Sequence, residues 1–270
     1  MCRRPERKAI ILKNLKKMLL LLTAAVCCFT VTACGDKDDK SSAEETSSSA
    51  EADVPENGVG EIIDKDDKSS AEETSSSAPA NVPENGVGEI IEPDADSQES
   101  DLGSYRYSSS GVKLYYDEAE YPTELVLSLE RYFTSFEKKD FEAYKQCVYP
   151  KYIDEMNVFL ERDFGYDIET SFNTQCDNLS ANMGGEFTIT RVKAEKPETE
   201  DIDAEIKEYF DMLGESFQKD FYKEVTDDVE DIHFMTFYIM ARDTDGNESM
   251  LVSGFDIVFV EKDGKYYTFG

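Results

Sequence analysis

Apolar positions divide the 270-residue chain into three regimes. An uncharged apolar run extends from Met18 to Val31, and from residue 35 to 104 large apolar side chains are sparse and aromatics absent. From Pro122 onward the spacing becomes helical. Leu125, Leu129, Tyr132, Phe133 and Phe136 fall at i, i+4, i+7, i+8 and i+11, which places them on one face of a first helix. Asp140 is suited to cap a short second helix carrying Phe141, Tyr144, Cys147 and Val148, ended by Pro150. A third helix carries Ile153, Met156, Phe159 and Leu160 and stops near Gly165. A fourth, from Asp167, carries Ile168, Phe172, Cys176 and Leu179 up to the Gly184-Gly185 break.

The period then shortens. Phe187 to Lys193 alternates as a strand of mixed burial, and residues 201–213 return to helix, with Phe217, Phe221 and Val225 extending it. Asp231 to Arg242 and Glu248 to Glu261 read as long strands joined at Asp245-Gly246, and Asp263-Gly264 turns the second into Lys265 to Phe269. Asp-Gly between apolar runs is the strongest short-range hairpin signal. Helices followed by hairpins predict an α+β domain over residues 105–270, with N-terminal helices packed on a curved antiparallel sheet. That zone holds all 15 Tyr and 15 of the 16 Phe, so it alone has the side-chain area to build a core.

Charge sharpens the division. The chain carries 59 acidic and 28 basic residues, a net −31, and a single His. Binding to a phosphate backbone rests on clustered Lys and Arg, so a nucleic-acid partner is excluded. One imidazole also excludes sites that need two, and neither a metal site nor a cofactor motif is indicated. Residues 35–104 hold 21 acidic and 4 basic side chains. They include a tandem duplication, residues 36–63 and 64–91, whose copies differ only at Glu51/Pro79 and Asp53/Asn81. Two copies with few branched apolar residues are too few to stack as a solenoid, so residues 34–104 are expected to be a disordered acidic linker.

Residues 1–33 place seven basic side chains before the apolar run, which at fourteen residues is short for a bilayer span of about 20. This is the pattern of a signal peptide. The run closes in Val31-Thr32-Ala33-Cys34-Gly35, which resembles the lipobox of bacterial lipoproteins. The resemblance implies that Cys34 is lipidated and that the protein is anchored on the outer face of the cell membrane. Two acyl chains hold where one is marginal.

The stretch ERYFTSFEKKDFEAYKQCVYPKYI, Glu130 to Ile153, and the closing DGKYY, Asp263 to Tyr267, resemble the NTF2-like (cystatin-like cone) lipoproteins of Gram-positive bacteria. The likeness covers about Pro122 to Gly270. It implies a sheet wrapped around the long first helix, with a cone-shaped cavity that serves in different members as an enzyme site, a ligand pocket or a filled core.

An enzyme would need an acid or base in the cone. His233, which alternation places with Met235, Phe237 and Ile239, and Asp256, within an apolar strand, are the weak catalytic candidates. Cys147 and Cys176 form either a disulfide or two separate buried thiols. The expectation is a membrane-anchored, extracytoplasmic, non-catalytic binding module for a small apolar ligand or an envelope protein. The alternative is an isomerase or dehydratase using a carboxylate in the cavity.

Overall fold

The computed structural model describes residues 82–93 and 100–270. The expected signal peptide, Cys34, the first repeat copy and most of the linker lie outside the described residues. After a 3-10 turn at Ser100–Leu102 come two short strands, β1 (Arg106–Tyr107) and β2 (Lys113–Tyr115). Four helices follow: α1 (Thr123–Glu137), α2 (Phe141–Cys147), α3 (Pro150–Phe164) and α4 (Ile168–Asn182). Then come β3 (Phe187–Glu195), α5 (Ile202–Phe217), α6 (Phe221–Thr226), β4 (Asp231–Asp243), β5 (Glu248–Lys262) and β6 (Lys265–Thr268). The fold is α+β, with the helices set against one curled six-stranded sheet of order β1-β2-β3-β4-β5-β6.

Local chemistry accounts for the helix ends. Asp140, Asp167, Asp201 and Asp220 each accept a backbone N–H three residues on, satisfying one of the donors a helix start leaves unpaired. Pro150 begins α3 rather than ending α2, since a proline ring suits the first helical turn. Gly165 closes α3 at φ 78°. The stretch expected as one extended helix is two. Gln218 at φ 60° ends α5, and the chain turns so tightly that a Cβ on Gly214 would sit 2.7 Å from the Lys219 carbonyl oxygen.

The sheet is mixed rather than wholly antiparallel. β2 pairs in parallel with β3 through Lys113–Arg191, Leu114–Val192 and Tyr115–Lys193, while every other neighbour is antiparallel. Two strands of two and three residues precede the helices, too short to show a period of two. The long hairpins stand where expected. Asp243 accepts the N–H groups of Asp245 and Asn247, and Asp263-Gly264 turns β5 into β6 with both residues at positive φ. Irregular register in β3, β4 and β5 adds local twist, which curls the sheet.

α1 is buried nearly all round. Besides the predicted face, Val126, Leu127, Ser128 and Glu130 are enclosed. One side meets the sheet, with Phe133 and Phe237 rings 5.1 Å apart. On another, the β1–β2 turn closes over it: Ser108 Oγ donates to Glu130 Oε1 at 2.8 Å and Ser110 Oγ donates to the same oxygen.

Candidate functional site

A cavity of about 420 Å³ lies between the helices and the middle of the sheet. α1 supplies Tyr132, Phe133 and Phe136, α3 supplies Tyr152, and α5 supplies Tyr209, Met212 and Leu213. Phe234 and Phe237 of β4 and the Phe255–Val258 stretch of β5 form the sheet wall. The i, i+4 spacing within α1 aims Tyr132 and Phe136 the same way, and their rings meet edge-on at 5.1 Å. α5 contributes through the same periodicity, Tyr209 and Met212 lying one turn apart on its half-buried side.

Besides Gln175 of α4, the polar groups of this cavity fall into two sets. Tyr152 Oη donates to the Gly270 carbonyl at 3.2 Å and Tyr209 Oη to the Phe269 carbonyl at 3.5 Å. Burial raises Tyr132, Tyr152 and Tyr209 well above the usual phenol range, because desolvation disfavours the phenolate, so all three stay neutral donors. The acids Glu205, Glu208 and Asp256 line the same cavity but are solvent-exposed, which puts them at its mouth. The interior is therefore mainly aromatic, with its three phenols neutral, and three carboxylates stand at the entrance.

Asp256 stands in the lining, opposite Thr236 across the β4–β5 ladder, and accepts its hydroxyl at 2.6 Å. That carboxylate is open to solvent and already engaged by the hydroxyl. His233 lies elsewhere. Its side chain is 17 % exposed, its ring meets Tyr266 edge-on at 5.5 Å, and its Nε2 is 3.8 Å from both Asp231 and Glu261. It is absent from the cavity lining, so the structure does not bring the two candidates together.

Cys147 and Cys176 are separate buried thiols. Burial pushes each up to about 11, the unreactive neutral form. Among the described residues, no cluster of three or more His, Cys, Asp or Glu is arranged to hold a metal, and no helix is long and apolar enough to cross a membrane.

Two polar clusters escaped the sequence reading. Glu130 is only 5 % exposed; burial raises its pKa while the Ser110 and Ser108 hydroxyls oppose the shift. An acid within the amphipathic first helix, downstream of the Ser108-Ser109-Ser110 run, was the signal. Asp228 accepts from Lys262 Nζ and from Tyr149 Oη, and Lys151 Nζ lies 3.2 Å away. These donors hold it down to about 2 and tie α3 to the end of β5. Residues so far apart in sequence leave no local pattern.

No protein-family model, no curated protein and no solved structure matches this chain.

Proposed function

We propose that the folded part is a non-catalytic binding module for a small, uncharged or cationic apolar molecule, held in an NTF2-like cone and moored outside the cell membrane through Cys34. The observation that carries the reading is the cavity: apolar and aromatic within, with three neutral phenols and an anionic entrance. Its volume falls in the range of small-molecule sites. The enclosure of α1 by the curled sheet supports the cone, and the basic segment, apolar run and Val31–Gly35 box support the mooring.

The acidic rim selects by charge, since an anionic ligand meets Glu205, Glu208 and Asp256 on entry. The enzyme reading draws on Asp256 and Tyr209 lining one cavity, but Asp256 is wet and already hydrogen-bonded. The test is a fluorescence titration of the full chain with neutral N-phenyl-1-naphthylamine and with its anionic relative 1-anilinonaphthalene-8-sulfonate. Saturable binding of the neutral probe, weaker for the anionic one, is expected. No saturable binding of either would remove the proposal.

A further inference from the structure

The edge of β1 that does not face β2 is occupied, and its occupant is the end of the second repeat copy. Val87–Ile91 runs antiparallel to Tyr105–Ser108. Gly88 N–H donates to the Tyr107 carbonyl at 2.8 Å, Ile91 N–H to Tyr105 at 2.8 Å, and Tyr105 N–H to Ile91 at 3.0 Å. Ser109 N–H reaches the Gly86 carbonyl at 3.1 Å, and Arg106 Nη1 donates to the Gly88 carbonyl at 2.8 Å. A turn closed by Gly86 N–H to the Pro83 carbonyl, with Asn85 at φ 58°, shapes the segment, and Val87 packs on the core. Main-chain pairing to an exposed sheet edge is a recognition mode open to any extended peptide with suitable side chains.

The first copy contains that peptide unchanged. Val54–Ile63 and Val82–Ile91 both read VPENGVGEII, and the two differences between the copies lie outside the decapeptide. Every group that binds β1 in the second copy therefore has its equal 28 residues upstream. We propose that Val54–Ile63 is an alternative occupant of the β1 edge within the same chain, so that the protein has a two-position strap. Exchange shortens the chain preceding the strap by one repeat and loops out the second copy, changing how far the folded part reaches from whatever holds the N-terminus.

Chain statistics set the balance. Thirteen residues separate Ile91 from Tyr105, and 41 separate Ile63 from it. With closure scaling as the three-halves power of length, the second copy is favoured about six-fold. The competition is close enough for both states to be populated and for either copy to cover the loss of the other.

Hydrogen exchange on full-length chains tests this at the Tyr105 and Ser109 amides, the two β1-side donors to the strap. Gly88→Pro with Ile91→Pro removes both donors of the second copy, and Gly60→Pro with Ile63→Pro removes their equivalents in the first. Loss of the first copy should leave both amides protected. Loss of the second should speed their exchange only about six-fold, independent of protein concentration, and loss of both should bring them to the rate of an unstructured peptide. If loss of the second copy alone brings them to that rate, the proposal fails, and this comparison stands even where the quadruple variant does not fold. Protection that falls on dilution would mean the replacement strap comes from another molecule, overturning exchange within one chain.

Discussion

Filling the cavity should cost ligand without costing fold, and Met212→Trp is the perturbation that separates the two. Met212 lines the cavity from α5 and is half-buried, so a larger side chain has open volume to enter. At ~30 Å³ per water-sized volume, 420 Å³ encloses about fourteen non-hydrogen atoms, most of the N-phenyl-1-naphthylamine skeleton, with the remainder projecting into the mouth. At roughly 0.4 kcal/mol per atom, between the limits for very small and drug-sized ligands, binding is worth ~6 kcal/mol, a Kd of tens of micromolar. An indole that excludes two methylenes' worth of ligand removes ~1.6 kcal/mol, about a fifteen-fold loss of affinity. The assay is N-phenyl-1-naphthylamine titration of wild type and variant side by side, with thermal denaturation of both. Asp256→Asn, which changes the mouth but not the interior, should bind the neutral probe as wild type does. A folded Met212→Trp that binds within two-fold of wild type would show that the probe site is not this cavity, and the functional argument would fall with it.

Three further predictions concern what holds the site together. Glu130→Ala removes the acceptor of two serine hydroxyls and leaves a void beneath the β1–β2 turn, so urea denaturation at pH 7 should show a loss of ~2–3 kcal/mol. Glu130→Gln keeps the shape and should cost under ~1 kcal/mol. Because the folded-state pKa of Glu130 is raised, the wild type should lose stability as pH climbs from ~4.3 through the folded value, and Gln should flatten that slope; an unchanged slope would contradict the buried-acid reading. Asp228 has the opposite sign: held down to about 2, it adds stability above pH ~4 that fades as pH falls through about 2. With a quarter of that side chain open to water, Asp228→Asn should cost only ~1 kcal/mol at neutral pH, with the gap to wild type closing in acid. Gly214→Ala drives a methyl against the Lys219 carbonyl, and a net loss of ~1–2 kcal/mol, read as a lowered Tm, should outweigh the gain in helix propensity; a stabilised variant would refute the close approach.

What the sequence revealed and concealed follows from the range of the interactions involved. The helices from Thr123 to Asn182 were legible because their Asp caps, Pro150 and Gly165 act within one turn, and the two hairpins because Asp-Gly writes its own geometry. β1 and β2 were not, since strands of two and three residues have no period, and β2 meets β3 only across α1 to α4. The break after Phe217 was missed because Gln218 lacks a glycine's signature, although it adopts the same left-handed backbone. Of the cavity, Asp256 was visible as an acid in an apolar strand, but its place beside Tyr132, Tyr152 and Tyr209 was not. Tyr132, Tyr152 and Tyr209 could be read only as aromatic helix positions, because three helices must pack before their hydroxyls share a space. The pairing of Val87–Ile91 with β1 was hidden by composition: a polar, glycine-containing repeat reads as linker until its main chain is seen hydrogen-bonded.

Occupancy of the aromatic chamber is open to direct observation. The full-length protein, isolated from the organism that makes it without detergent exchange, can be weighed intact by native mass spectrometry and then denatured to release any bound molecule. The account predicts an added mass matching one small neutral or cationic apolar compound, displaced by N-phenyl-1-naphthylamine and depleted in Met212→Trp. Bare polypeptide mass across repeated preparations, with Met212→Trp indistinguishable from wild type, would contradict it.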